Sequence, residues 1–435
     1  MAQTVARLRA WLHDDRFLWF VLCGLFTKFC IVLVTYKPYS LAKLYLPLLL
    51  LLLALKLLAE GRLRELVQPK YLSALALFAV LAVPLGYLSN PHDWRLYRVN
   101  LLSLASYLTL YAGALVAARS QRNRLRLLGW VLGFCVLGAL YICVQWLTGF
   151  TYTPGHVRGP DALIRPYGIL DDPNYSAGLL LLGLALTAWF LLRPGRRGPW
   201  LRAALLGAAA LCLLGLYASQ SAAAWGSLVI GLAVSALAWL LFARKASRPR
   251  TRFLFSLAMS AAVLAVFLLF VWAYEADLAG LARRIEAVKA NNVSDRIASY
   301  RMALHMALDN PLFGAGPWSD FIPEVNRRYG AQRFVIIHNT PLSMLATAGA
   351  VGLGALLWPL LLGLWRTVAP AGSDAAQRFA PGRMVVLGLL LAIQAQSYSL
   401  HMVTSIPFWF ALTLPHLLPA DAADSGDAPS GARAG

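Results

Sequence analysis

Apolar runs long enough to cross a lipid bilayer recur along the chain, and they constrain its fold more than any other feature. The stretch from Leu46 to Leu58 is almost unbroken leucine. Windows of about 17–25 apolar residues are what a helix needs to span the hydrocarbon. They predict about twelve transmembrane helices, over residues 17–36, 40–58, 71–89, 99–118, 127–149, 175–192, 201–218, 222–242, 253–273, 341–364, 384–401 and 403–418. The expected fold is an all-α polytopic membrane protein. A hydrophobic fraction of 59% against 13% charged residues excludes an ordinary soluble domain.

The net charge of +20 would suggest nucleic acid in a soluble chain. Here the basic residues sit in short loops between spans and alternate in side. Arg62, Arg64 and Lys70 fall on one side, as do Arg119, Arg122, Arg124 and Arg126, then Arg193, Arg196 and Arg197, then Arg244 to Arg252, then Arg366, Arg378 and Arg383. The positive-inside rule makes that side cytoplasmic, with both termini inside, and no nucleic-acid partner is expected. The first span follows Arg7, Arg9 and Arg16 without a convincing cleavage site and reads as a retained membrane anchor, not a cleaved signal. Cys23, Cys30, Cys135, Cys143 and Cys212 all fall in apolar spans and read as small core residues.

The spans divide the chain into residues 1–273, a large outer loop at 274–340, residues 341–418 and a loose cytoplasmic tail at 419–435. A second outer segment lies near 150–174. Loops of this length are usually functional or disordered, and neither has a disordered composition. Within the large loop, Glu275 to Lys289 carries an apolar stripe of Leu278, Leu281, Ile285 and Val288 and reads as a helix on the membrane face. Ser294 caps a second run from Asp295 to Asp309, stopped by Asn310-Pro311. Together they predict a helical periplasmic cap. Gly314-Ala315-Gly316-Pro317 reads as a turn permitting close backbone approach. His338 then stands at the mouth of the tenth span, with Asn339 or Thr340 as its cap and Pro341 in its first turn.

Ser294-Asp295-Arg296, Asn310-Pro311-Leu312-Phe313-Gly314-Ala315-Gly316 and His338-Asn339 followed by Leu342, Leu345, Gly349 and Gly352 resemble the signature half of the O-antigen ligase and Wzy-type polymerase superfamily. Arg165-Pro166-Tyr167-Gly168 through Asp172-Pro173-Asn174-Tyr175 is similar to a second family pattern, in which a Pro-Asn pair enters a helix. The resemblance spans roughly residues 160 to 355. One departure is clear: members commonly carry an arginine in a short outer turn, where this chain reads Ser219-Gln220-Ser221-Ala222. A phosphate contact there would fall to Gln220, to backbone or to other arginines.

The resemblance implies transfer of a polysaccharide from an undecaprenyl-pyrophosphate-linked donor onto lipid A–core at the periplasmic face. Outside the cytoplasm there are no nucleotide sugars, so the glycan must arrive activated on a lipid. Arginine forks suit the pyrophosphate, and the candidates are Arg158, Arg165, Arg296 and Arg301, with Gln220. Histidine suits the acceptor hydroxyl proton, which makes His338 the candidate base of an inverting displacement. Asn339 and Asn174 are supporting residues, Asn174 as the expected cap of the sixth span. The outer carboxylates Asp171, Asp172, Asp295, Asp309, Asp320 and Glu324 lack metal-site spacing, so neither a metal nor another cofactor is expected; Asp171-Asp172 read as helix caps. Plainer roles stand beside these: His338 as a helix-start residue, Arg296 and Arg301 on anionic headgroups, and Gln394, Tyr398 and His401 as a helix–helix contact. A polymerase or a protein glycosyltransferase would need much the same residues. A transporter would instead show repeats and broken helices near the midplane.

Overall fold

The computed structural model describes residues 55–59, 61, 121–149, 166, 168–170, 172–192, 198–242, 265, 295–316, 323–330 and 336–368, with positions 387, 388, 391–393, 396, 411, 412, 414 and 417. Among the described residues every regular element is helical. In chain order these are α1 (Gln121–Thr148), α2 (Pro173–Leu192), α3 (Pro199–Ser219), α4 (Ala222–Phe242), α5 (residues 295–309), α6 (Pro323–Arg328) and α7 (Thr340–Val368). Four are long and apolar enough to cross a membrane: Asn123–Thr148, Pro173–Leu192, Pro199–Ser219 and Thr340–Trp365. They coincide with the expected fifth, sixth, seventh and tenth spans, and α4 with the eighth. Apart from isolated helical positions, the other expected spans lie outside the described residues, as do the 275–289 helix and the 419–435 tail.

Two helices run further than their apolar cores. α1 starts at Gln121 and α7 ends at Val368, so Arg122, Arg124, Arg126 and Arg366 are helical, not in loops. The long aliphatic stem of arginine lets a helix continue into the headgroup layer while the charge reaches water.

α1, α2 and α3 pack together with α2 at the centre. Lipid is as apolar as leucine, so helices associate in a membrane by close fit, and small residues gather where they touch. Gly183 of α2 shows this: a Cβ there would come 2.8 Å from Cys135 Cβ and 2.9 Å from Cys212 Sγ. Cys135, Cys143 and Cys212 are buried, as the composition of their spans suggested. Large side chains take the other side of α1, where Trp130, Leu137, Leu140, Val144 and Leu147 form an exposed stripe.

The tenth span is not one straight helix. Gly349 has φ 68° and ψ −167°, which splits α7. In an intact helix the Ala346 and Thr347 carbonyls would accept from Ala350 and Val351. The turn at 310–316 enters instead. Ala315 N–H donates to Ala346 O at 2.9 Å and Gly316 N–H to Thr347 O at 2.9 Å. Ala350 N–H donates to Pro311 O at 2.8 Å and Val351 N–H to Leu312 O at 3.2 Å. Four bonds to the turn stand in for helical ones at the break, so these groups are satisfied by protein where hydrocarbon would offer no partner.

This docking fixes α5. Its residues Met302, Ala303 and Met306 form one apolar cluster with Ile337 and Ala346, with Leu342 packed against it. Residue 300 meets residue 338, and 311 and 312 meet 350 and 351. α5 therefore runs alongside the first half of α7 in the same direction. The Asp295–Asp309 helix and its Asn310-Pro311 stop stand where the sequence placed them.

Candidate functional site

His338 is half-buried, two residues ahead of α7. Asn339 is the N-cap: its Oδ1 accepts the Leu342 N–H at 2.9 Å, and its carbonyl accepts the Ser343 N–H at 2.8 Å. A capped helix start fixes the backbone of His338 against rotation. From the other side, the Tyr300 hydroxyl of α5 reaches the His338 carbonyl at 3.4 Å.

Arg296 lies one turn before Tyr300, and residues four apart share a helix face. It is exposed, and its carbonyl accepts the Ser299 hydroxyl at 2.8 Å. The structure thus brings Arg296 onto the side of α5 that meets the His338 segment. Arg301 is placed differently. The packed face of α5 is Ser299, Met302, Ala303 and Met306, all buried. Arg301 and His305 are exposed on the opposite side, beside Ile297, Leu304 and Leu308.

A second polar group sits at one end of the α1–α4 bundle. Asn174, in the first turn of α2, accepts the Ser221 hydroxyl on its Oδ1 at 2.9 Å. Its backbone carbonyl accepts Gln396 Nε2 at 2.9 Å. Ser219, Ser221 and Gln396 are fully buried. Of the two expected caps of α2, Asp172 serves and Asn174 does not: Asp172 Oδ1 accepts the N–H groups of Asn174 at 2.7 Å and Tyr175 at 3.0 Å. Asp172 wins because proline at the first helical position has no N–H, and the residue before it is held extended, as a cap requires. Asn174 is thereby freed to join α2 to the α3–α4 turn and the eleventh expected span.

Gln220 closes α3 in the left-handed conformation, φ 52° and ψ 33°, with its N–H on Tyr217 O at 3.1 Å. A non-glycine residue with positive φ carries strain, tolerated where the surroundings hold it. Arg158 and Arg165 lie outside the described residues. Just beyond Arg165, Pro166 is buried and the Gly168 N–H donates to Gln145 Oε1 at 2.9 Å, so the end of the 150–174 segment is docked on α1.

The sequence reading missed Tyr300, Ser221, Gln145 and Gln396. Tyr300 was legible in principle, one turn from Arg296 on a face otherwise apolar. Ser221 and Gln145 carried no signal, since single polar residues in spans are common. Gln394, Tyr398 and His401, singled out on the eleventh span, lie outside the described residues.

An apolar cleft of about 540 Å³ is lined by Trp358, Leu361, Leu362, Leu364 and Trp365. It begins twenty residues beyond His338, about 30 Å along the helix, and none of its described lining residues is charged. The break at Gly349 is the feature a transporter would share. Of the groups at the break, Ala346 O, Thr347 O, Ala350 N–H and Val351 N–H are bonded to the 310–316 turn.

Residues 207–357 match the family model described as O-antigen ligase. The match covers α5, the 310–316 turn, His338 and the Gly349 break, and begins after Asn174. No curated protein matches the chain.

Proposed function

We propose, on the premise that the chain belongs to the O-antigen ligase superfamily, that it transfers a polyprenyl-pyrophosphate-linked polysaccharide onto a sugar hydroxyl of lipid A–core at the periplasmic face of the inner membrane. The coarser part of that reading, a membrane protein with a glycan-transferring family domain, follows from the match and the apolar spans. The observation that carries the finer part is the Tyr300–His338 contact. It sets a helix bearing Arg296 against the capped start of α7.

In this reading His338 takes the proton from the attacking hydroxyl. The hydroxyl oxygen forms the new bond to the anomeric carbon as the bond to the pyrophosphate oxygen breaks, inverting that centre. Charge building on the leaving pyrophosphate is met by Arg296, whose planar fork bonds two oxygens at once. Arg165 and Arg158 are further candidates for the donor head, and Arg301 for a phosphate on the outward side of α5. Gln220 stands where the resemblance would place an arginine, and a strained, left-handed cap is a place to present a side chain.

Reconstitution with a lipid-linked glycan and lipid A–core, without nucleotide, tests this directly. Product on lipid A–core supports the ligase. A lengthened donor would make the chain a polymerase with the same residues. Solute movement without transfer would make it a transporter.

A further inference from the structure

We infer that α5 is a re-entrant helix: it descends into the bilayer beside α7, and its outward stripe and the turn after it contact lipid acyl chains.

Depth comes first. Thr340–Trp365 of α7 is long and apolar enough to cross a membrane. The turn at 310–316 is bonded to Ala346, Thr347, Ala350 and Val351 of that span. Ala350 lies ten residues below Thr340, about 15 Å along the axis, which is about half the hydrocarbon thickness. Pro311 and Leu312 are therefore carried well below the level of His338 and are not part of a cap resting on the surface.

Exposure comes second. Ile297, Leu304 and Leu308 repeat at helical spacing on the face of α5 away from α7, with Leu308 76% exposed. Leu312 and Phe313 continue the stripe at 60% and 50%. Water at that depth would be a poor neighbour for Leu304, Leu308, Leu312 and Phe313, and acyl chains are the natural one. The exposed stripe on α1, with Leu137 at 62%, is the same kind of surface on a span.

Charge comes third. Arg301 follows Tyr300 directly and so stands level with the start of α7, where headgroups lie. His305 and Asp309, one and two turns deeper, are exposed on a flank of α5 beside the stripe, and the stripe of Leu304, Leu308 and Leu312 itself carries no charge. Apolar below and cationic at the rim is the arrangement of a helix entering a leaflet, with the arginine directed back to phosphate oxygens. The backbone at the bottom of the descent is irregular, which hydrocarbon forbids unless protein satisfies it. Four of its groups, Pro311 O, Leu312 O, Ala315 N–H and Gly316 N–H, are satisfied in this way across the Gly349 break.

The test uses the full-length chain in phosphatidylcholine–phosphatidylglycerol nanodiscs. Leu308→Cys and Phe313→Cys are spin-labelled separately, the unsubstituted chain giving the background from native thiols. Leu137→Cys on α1 serves as the lipid-facing control and Glu324→Cys on exposed α6 as the aqueous one. Positions 308 and 313 are expected to collide with oxygen in preference to a water-soluble nickel chelate. Their oxygen-to-nickel ratio should match that of position 137 and stand several-fold above that of position 324. Ratios equal to that of position 324 would overturn the inference and leave α5 in water. Spin–spin broadening that vanishes on dilution with unlabelled protein would also overturn it, since a second copy would then cover the stripe.

Discussion

Gly314 and Gly349 interlock across the break in α7. A Cβ on Gly314 would strike the backbone of Thr347 and Ala348, and one on Gly349 the carbonyl of Leu312 and the nitrogen of Phe313. Both have positive φ, 71° and 68°. Two backbones meet here with no side chain between them, and this contact holds α5 and the His338 segment in one unit.

Gly349→Ala and Gly314→Ala should each destabilise the protein by more than ~2 kcal/mol, from left-handed strain and the clash together. Gly207→Ala on α3, where the added methyl meets nothing within 4 Å, should be neutral or slightly stabilising. Thermal unfolding in detergent separates the two classes, and equal effects at all three sites would show that the interlock is not specific.

The polar junction at Asn174 makes a different prediction. Removing the Ser221 hydroxyl leaves Asn174 Oδ1 without that donor and should cost ~1 kcal/mol. Ser221→Ala and Asn174→Ala should be coupled, the double variant costing less than the sum of the singles. Strict additivity in the unfolding midpoints would count against the bond.

Asp172, not Asn174, should behave as a helix cap. Asp172→Ala should lose ~1 kcal/mol, and Asp172→Asn should recover most of it, since an amide oxygen can still accept from the first turn. Unfolding of the three proteins at neutral pH is sufficient to check this.

The positions of five spans, the extent of α5 and the turn after it were legible from composition, helix stops and glycine spacing. Those signals are local: a run of leucine needs lipid wherever it sits, and Asn310-Pro311 ends a helix in any context. The break at Gly349 was not legible, because Leu342, Leu345, Gly349 and Gly352 fit an unbroken span equally well. Only the turn arriving from thirty-odd residues earlier makes the break affordable. The role of Asn174 was misread for a related reason. Asp and Asn are both good caps, and the choice between them turned on Pro173. The placement of Arg296 and Arg301 on different sides of α5 follows from which face meets α7, a tertiary fact that the pattern of Ile297, Leu304 and Leu308 only hinted at.

The two arginines should therefore differ in a transfer assay. Arg296→Ala should lower the rate by ~10–100-fold, as expected for one charge-assisted contact to phosphate. Arg301→Ala, an exposed cation on the outward face, should cost less than ~5-fold. Tyr300→Phe should fall between, with up to ~5-fold lost through a looser His338 segment. Equal losses for both arginines would place the donor head elsewhere.

The most direct measurement is the rate of glycan transfer by His338→Ala reconstituted with lipid-linked donor and lipid A–core, alongside a thermal unfolding curve showing an intact fold. A base at His338 predicts a loss of at least ~100-fold. Full transfer by a folded His338→Ala protein would contradict the mechanism at its centre.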